Sequence, residues 1–350
     1  MIDQSLASQV DELLAAVEGR DNERFFGALQ GIAAATHASD PEEVQAALVR
    51  LVPVLESIPL GMGGDLAQLA GGLAGHATDP AVVVPVLVGR ATEAMEQAAR
   101  FERLHREAYG EVPDPEDGEQ IQPVLERFVG GAAERGLTEQ EAWVLVQAWF
   151  CGGQWVQPVL FLSQRQDVRA MLPDRGRLIA AVEPVRESIG TAHWLYGLLL
   201  VLDDEPLVVL HRATGRGFRV TVSGIGDNFQ LHTLLAAALI GDEARGLLPG
   251  ERPSAAEIAA AGDGEVLDPP GGIRGNFNLV GADGTWIWNE GRPADIPALD
   301  GTRVVVLDPP PYQRTWNAGR AYPLMRPTVT VEGALTAGEA AHWLSRVKPA

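Results

Sequence analysis

The chain is poor in residues on which several chemistries depend. It has one cysteine, Cys151, in 350 residues, which excludes a disulfide framework, a cysteine-based zinc site and an iron–sulfur cluster within one chain. Its one lysine, Lys348, lies two residues from the end, and every other cation is arginine. A P-loop lysine, a kinase strand lysine and an internal Schiff-base lysine are thereby removed together. Arginine in place of lysine, with abundant Ala, Gly and Pro, matches the codon usage of a high-GC bacterial genome. The sequence has no Gly-x-Ser-x-Gly elbow, no His-Glu-x-x-His, no Walker A loop and no Gly-x-Gly-x-x-Gly following a strand, so no cofactor and no metal are implied.

Positive charge is also scarce. Forty-seven acidic side chains face 27 basic ones, a formal charge of −20, which repels phosphate backbones and argues against a nucleic-acid partner. The excess is uneven: residues 1–135 carry 23 acids and 9 bases, residues 136–350 carry 24 and 18. The N-terminal third is suited to solubility or to a basic partner. Residues 1–8 contain an acid and no basic n-region, so no signal peptide and a cytoplasmic location are expected. Long apolar runs are limited to one. From Ala142 to Leu162 there are 21 residues without a charge, enough to span a bilayer. Three glutamines, Pro158 and the Gly152-Gly153 pair interrupt it. A buried core segment is therefore expected in place of a membrane span.

What is present reads first as helix. Leu6, Val10, Leu13, Leu14 and Val17 form one stripe at helical spacing. Asp21 or Asn22 caps a second helix, and Asp40-Pro41 pairs an N-cap with proline at the first helical position. The segment His37-Ala38-Ser39-Asp40-Pro41 returns as His76-Ala77-Thr78-Asp79-Pro80, an offset of 39, with seven identities over residues 37–49. A helix, a capped turn and a second helix at that period resemble HEAT or armadillo repeats, and the resemblance implies a binding surface. An ordinary helical bundle with one chance echo is the alternative. His37 and His76 are expected to satisfy last-turn carbonyls. A helix is expected from Pro80 to Tyr109, and further helices over Gln120–Arg135, Glu139–Phe150, 155–171 and Arg175–Trp194. His105 and Glu107 lie about 200° apart on a helix and cannot chelate together.

From Gly197 the period changes to that of strands. Gly197–Leu202 and Leu207–His211 are apolar candidates, and Phe218–Ser223 alternates strictly. Asp227 or Asn228 caps a helix to Ile240. After a Pro/Gly-rich loop at 262–275, a hairpin is expected from Asn276–Val280 and Thr285–Asn289 around Ala282-Asp283-Gly284. Strands follow at Arg303–Leu307 and Thr328–Val331, and Thr336 caps a closing helix. The fold class is therefore α+β: a helical region over 1–195, and over 196–350 an α+β domain with a mainly antiparallel sheet. Eleven of the 24 prolines lie between 249 and 327, so the second half carries long loops, where sites usually sit.

Two clusters carry residue types suited to a site. His211, Arg212, Arg216 and Arg219 gather around a hairpin, with Asp227, Asn228 and His232 at a strand-to-helix junction whose backbone N–H groups favour anions. As an active site, the arginines would hold a carboxylate or phosphate, with His232 and Asp227 as the acid/base groups. The second cluster is Arg274, Asn276, Asn278, Trp286, Trp288, Asn289, Tyr312, Arg314, Trp316 and Asn317, the composition of a recognition surface. Cys151 lies in the uncharged run and reads as a small hydrophobe. Asp308-Pro309-Pro310-Pro311-Tyr312 brushes against the Asp-Pro-Pro-Tyr element of amino-methyltransferases, but it has one proline too many and no glycine-rich nucleotide loop upstream. The leading expectation is a non-catalytic protein- or peptide-binding or assembly protein, with self-association as a further possibility. The alternative is an enzyme of specialised metabolism or peptide modification acting on an anionic substrate near residues 211–232.

Overall fold

A computed structural model of the chain describes residues 5–263, 272–317 and 320–349. It divides into two units, Met1–Leu199 and Leu200–Ala350. Most of the loop read at 262–275 lies outside the described residues. The first unit is helical: α1 (Leu6–Gly19), α2 (Asn22–Thr36), α3 (Pro41–Ser57), α4 (Leu60–Ala74), α5 (Val84–Tyr109), α6 (Ile121–Gly130), α7 (Glu139–Leu162), α8 (Gln166–Met171), α9 (Arg175–Val182) and α10 (Gly190–Leu199). No helix among the described residues is long and apolar enough to cross a membrane.

The uncharged run is α7, packed against α4 and α5. The expected break at Gly152-Gly153 is absent, and the helix runs without interruption from Glu139 to Leu162. Those glycines buy close approach. A Cβ on Gly152 would lie 2.7 Å from Met95 Cε, and one on Gly71 of α4 would lie 2.5 Å from Pro158 Cβ. Helix propensity lost at glycine is offset by side chains of the neighbouring helix packing directly on the glycine backbone, which larger residues would prevent. Trp149 and Trp155 of α7 are buried, and their indole N–H groups donate to Pro113 O (3.0 Å) and Leu60 O (2.8 Å). Burial also pushes the Cys151 thiol up from its ordinary pKa, away from thiolate reactivity.

The two 39-residue motifs touch. Gln45 Oε1 accepts from Asp79 N (2.9 Å) and Thr78 Oγ1 (3.2 Å), and the His37 and His76 rings meet edge to face at 6.0 Å. Neither imidazole caps a carbonyl among the described residues, so that expectation is corrected: the rings pack on one another. Asp40 and Glu43 form a capping box at the start of α3, whereas Asp79 caps only the 3-10 turn Pro80–Val82 before α5 begins. Asp40→Ala is expected to lower the stability of the helical unit by about 1 kcal/mol in denaturant melts.

Two corrections concern the chain before the sheet. Arg175–Trp194 is not one helix but α9 and α10 joined through the 3-10 turn Glu183–Val185. Gly197–Leu199, read as the opening of a strand, is the last turn of α10. Leu195, Leu198 and Leu199 are all buried, and a short run that is apolar all round has no period to separate helix from strand.

The second unit contains β1 (Glu205–His211), β2 (Arg216–Ser223), α11 (Asn228–Leu239), α12 (Ala255–Gly262), β3 (Ile273–Arg274), β4 (Asn278–Gly281), β5 (Ala298–Leu299), β6 (Thr302–Asp308), β7 (Thr315–Trp316), β8 (Thr328–Ala334) and α13 (Ala337–Leu344). The main sheet has the order β4-β6-β1-β2-β8, with β5 also on β6, and all its pairings are antiparallel except β1 with β6. The unit is thus α+β with a mainly antiparallel sheet. Both faces are covered. Leu207, Val209, Phe218 and Val220 pack with Leu231 and Leu235 of α11, while Val208, Leu210, Val304 and Val306 pack with Ala340 of α13. Two-sided burial explains why β1 and β6 are continuously apolar, while β2 keeps its polar alternation.

The hairpin expected at 276–289 is reduced to one bridge, Val280 with Trp286, and β4 pairs along its length with β6 instead. The returning segment is drawn away by α11. The backbone N–H groups of Asn228 and Phe229 donate to Asn289 O (both 3.1 Å), and Asn228 Nδ2 donates to Trp288 O (2.8 Å). Carbonyls that would have continued a strand satisfy the open N-terminus of a helix.

Candidate functional site

The residues singled out near 211–232 separate into engaged surface cations and a sealed histidine. Arg212 Nε donates to Asp308 Oδ1 (2.7 Å), Arg219 to Glu339 Oε1 (2.6 Å), and Arg216 to the Leu247 carbonyl. His211 Nδ1 meets Thr214 Oγ1 at 2.8 Å, and burial holds its pKa below the ordinary histidine value. Each of these guanidinium groups already has an intramolecular acceptor.

Asp227 is the N-cap of α11, its carboxylate accepting from Gln230 N at 2.8 Å. Burial raises its pKa to about 6, against the pull of the helix amides and with the nearby Glu290 charge adding to the rise. His232, in the second turn of α11, is 0% exposed. Its Nε2 accepts the backbone N–H of Phe277 at 3.0 Å, and its ring stands edge-on to Trp316 with centroids 4.9 Å apart. Because an amide can only donate, Nε2 bears the lone pair and Nδ1 the proton. Burial first, and the Arg314 charge second, push the pKa of His232 down to about 3. The ring is neutral and out of contact with solvent.

Arg314 donates from Nη2 to the Phe277 carbonyl (3.0 Å), and its guanidinium carbon lies 5.3 Å from the Trp286 ring and 5.9 Å from the Trp316 ring. Phe277 therefore links His232 and Arg314 through its own N–H and C=O. The His211 ring also meets Phe277 edge-on, at 5.9 Å. Trp286 and Trp288 stack with centroids 5.1 Å apart and planes 18° from parallel, and Trp288 is 64% exposed. Arg274 pairs with Glu251, and Asn276 Nδ2 donates to Glu251 O (2.8 Å), so these two face a different neighbourhood.

The structure thus brings together His232, Arg314, Trp286, Trp288 and Trp316. It leaves Arg212, Arg216, Arg219, Arg274 and Asn276 in local pairings. Sequence reasoning missed Phe277, and it did not give Asn228 and Asn289 their role in carrying the Trp288 loop. An amide joined to residues 37 and 45 positions away in the chain leaves no local pattern to read. The Oδ1 atoms of Asn228 and Asn289 and the Nε1 atoms of Trp286 and Trp316 are buried with no hydrogen-bond partner among the described residues. Ordered water is the usual partner of such atoms. Among the described residues no group of three or more His, Cys, Asp or Glu is placed to hold a metal ion. No protein-family model, curated protein or solved structure matches the chain.

Proposed function

We propose that the protein is a non-catalytic recognition protein whose C-terminal unit docks an arginine- or lysine-bearing segment of a partner on the Trp286–Trp288 stack. One observation carries this reading: a tryptophan 64% exposed and stacked on a second tryptophan, on a loop pinned by Asn228. Exposed large aromatics are costly to leave in water and are the commonest interface anchors. A stacked, tethered ring loses little further freedom on binding. Trp286 already carries one guanidinium, that of Arg314, and the open face of Trp288 offers the same cation–π chemistry to a partner. Glu290, next to it and exposed, adds attraction for a basic segment.

The contacting 39-residue motifs support a HEAT-like reading of the first helices, in which stacked helix pairs present a second, acidic binding face. The enzymatic alternative finds less support, since its proposed base is neutral and sealed from solvent with Nε2 taken by the Phe277 N–H, and its proposed anion-binding arginines are engaged.

Selection of a random displayed peptide library on the full chain tests the proposal. Enriched sequences containing arginine or lysine are expected, with enrichment lost on Trp288→Ala. Binding of the same sequences to wild type and Trp288→Ala alike would refute the assignment of the surface.

A further inference from the structure

The helical unit carries a cavity at the end of α5. Helix α5 places His105 and Tyr109 one turn apart, with ring centroids 4.6 Å from each other. Gly110, at φ 82°, ends the helix, and the chain returns so that Glu111 O lies 2.7 Å from His105 Nδ1. A carbonyl can only accept, so Nδ1 donates and the lone pair of the imidazole is on Nε2. Burial holds the His105 pKa below its ordinary value, which keeps that lone pair available near neutral pH. His105 lines a cavity of about 390 Å³, and its ring hydrogen bond among the described residues is the one at Nδ1. The return loop is anchored from beneath by Trp149, whose indole donates to Pro113 O.

Helix α6 supplies the opposing wall. Arg127 lays its guanidinium carbon 3.8 Å from the Tyr109 ring centroid and makes no ion pair among the described residues. Its neighbour Arg135, by contrast, donates to Tyr109 Oη at 3.1 Å and to the Phe128 carbonyl. The acidic residues Glu111 and Asp114 also line the cavity, one Asp114 carboxylate oxygen accepting from Glu116 N (2.9 Å), and Val112, Pro113, Pro123 and Val124 give it apolar walls.

We infer that this cavity binds a free amino acid with an apolar side chain. A simple anion would satisfy Arg127 but face two carboxylates, and a simple cation would satisfy those carboxylates but face Arg127. A zwitterion answers both. Its carboxylate pairs with the planar guanidinium. Its ammonium donates to His105 Nε2 and is drawn by Asp114 and Glu111, while the side chain lies on the prolines and valines. The volume is at the small end of metabolite sites.

Titration calorimetry on the full chain tests this with L-leucine, L-methionine and L-phenylalanine, and with N-acetyl-L-phenylalanine and L-phenylalaninamide as blocked controls. At least one free amino acid is expected to bind saturably, and each blocked form at least tenfold more weakly than phenylalanine. Arg127 is exposed, so Arg127→Gln should fold as wild type. It should weaken the free amino acid at least tenfold while leaving the amide unchanged. No saturable binding at millimolar concentration would overturn the inference. So would blocked forms that bind as well as their parents, or an Arg127→Gln variant that binds as wild type does.

Discussion

Trp155→Ala is expected to destabilise the helical unit by about 4 kcal/mol, the loss typical of a fully enclosed tryptophan. The residue is 0% exposed at the centre of α7, its Nε1 donates to Leu60 O, and Arg90 lies 5.0 Å above its ring. Truncation leaves a cavity between α4 and α7 and a buried carbonyl without its donor. The site is also closed to enlargement. A Cβ on Gly63 would collide with the Trp155 ring and lie 2.5 Å from Ile58 Cγ2, so Gly63→Ala should cost about 2 kcal/mol through overpacking. The two changes should not add. Once the indole is removed, the alanine at 63 keeps the Ile58 contact but loses the collision with the ring, and the double variant should be more stable than the sum of the single losses implies. Denaturant melts followed by helical circular dichroism measure the cycle. Additive losses would mean that α4 and α7 do not meet through these residues.

The second large effect is a pair of opposed pH dependences in α11. His232 has its pKa lowered to about 3, against about 6.5 when unfolded. Its contribution is therefore complete above pH 6.5 and is lost as pH falls through that window, reaching about 5 kcal/mol near pH 3. Asp227 has its pKa raised to about 6, against about 3.9 unfolded. Its effect runs the other way: the folded state is favoured below pH 3.9 and penalised by about 3 kcal/mol as pH rises past 6. Between pH 4 and 6 the two slopes largely cancel in the wild type. Asp227→Asn keeps an N-cap side chain but removes the buried charge. The variant should gain about 2–3 kcal/mol over wild type at pH 7.5 and nothing at pH 4. Its own stability should then fall steeply with acid, exposing the histidine term. Equal stabilities at pH 7.5 would show that Asp227 is hydrated and ionised without penalty.

The parts of this molecule legible in its sequence are those written in short-range pattern. Asp227 before an apolar dodecamer, Thr336 before Glu339, and the alternation of Phe218, Val220 and Val222 each signal an element through neighbours a few residues away. The uncharged stretch at 142–162 was legible as interior because its glutamines and glycines contradict a membrane span. Where Gly152-Gly153 appeared to break that helix, the deciding fact was Met95, far along the chain. The recognition candidates were half legible. Trp286 and Trp288 announce themselves by type and by a spacing of two. That their loop would be held by Asn228, or that Phe277 would engage both His232 and Arg314, depends on pairings across the fold. In the sequence His105 has Glu107 as its nearest candidate partner, whereas its neighbours in the fold, Glu111 and Arg127, come from beyond the end of its helix.

The measurement that bears most directly on function is the affinity of a library-selected peptide compared with the same peptide carrying citrulline for arginine. Citrulline keeps the length and planar shape of the side chain, replaces one NH2 donor by a carbonyl oxygen and removes the charge. If the Trp288 ring reads a cation, the substitution should weaken binding to wild type about tenfold and weaken the residual binding to Trp288→Ala by clearly less. Equal affinities of the two peptides for wild type, or a full loss that persists in Trp288→Ala, would contradict recognition of a basic segment by the tryptophan stack.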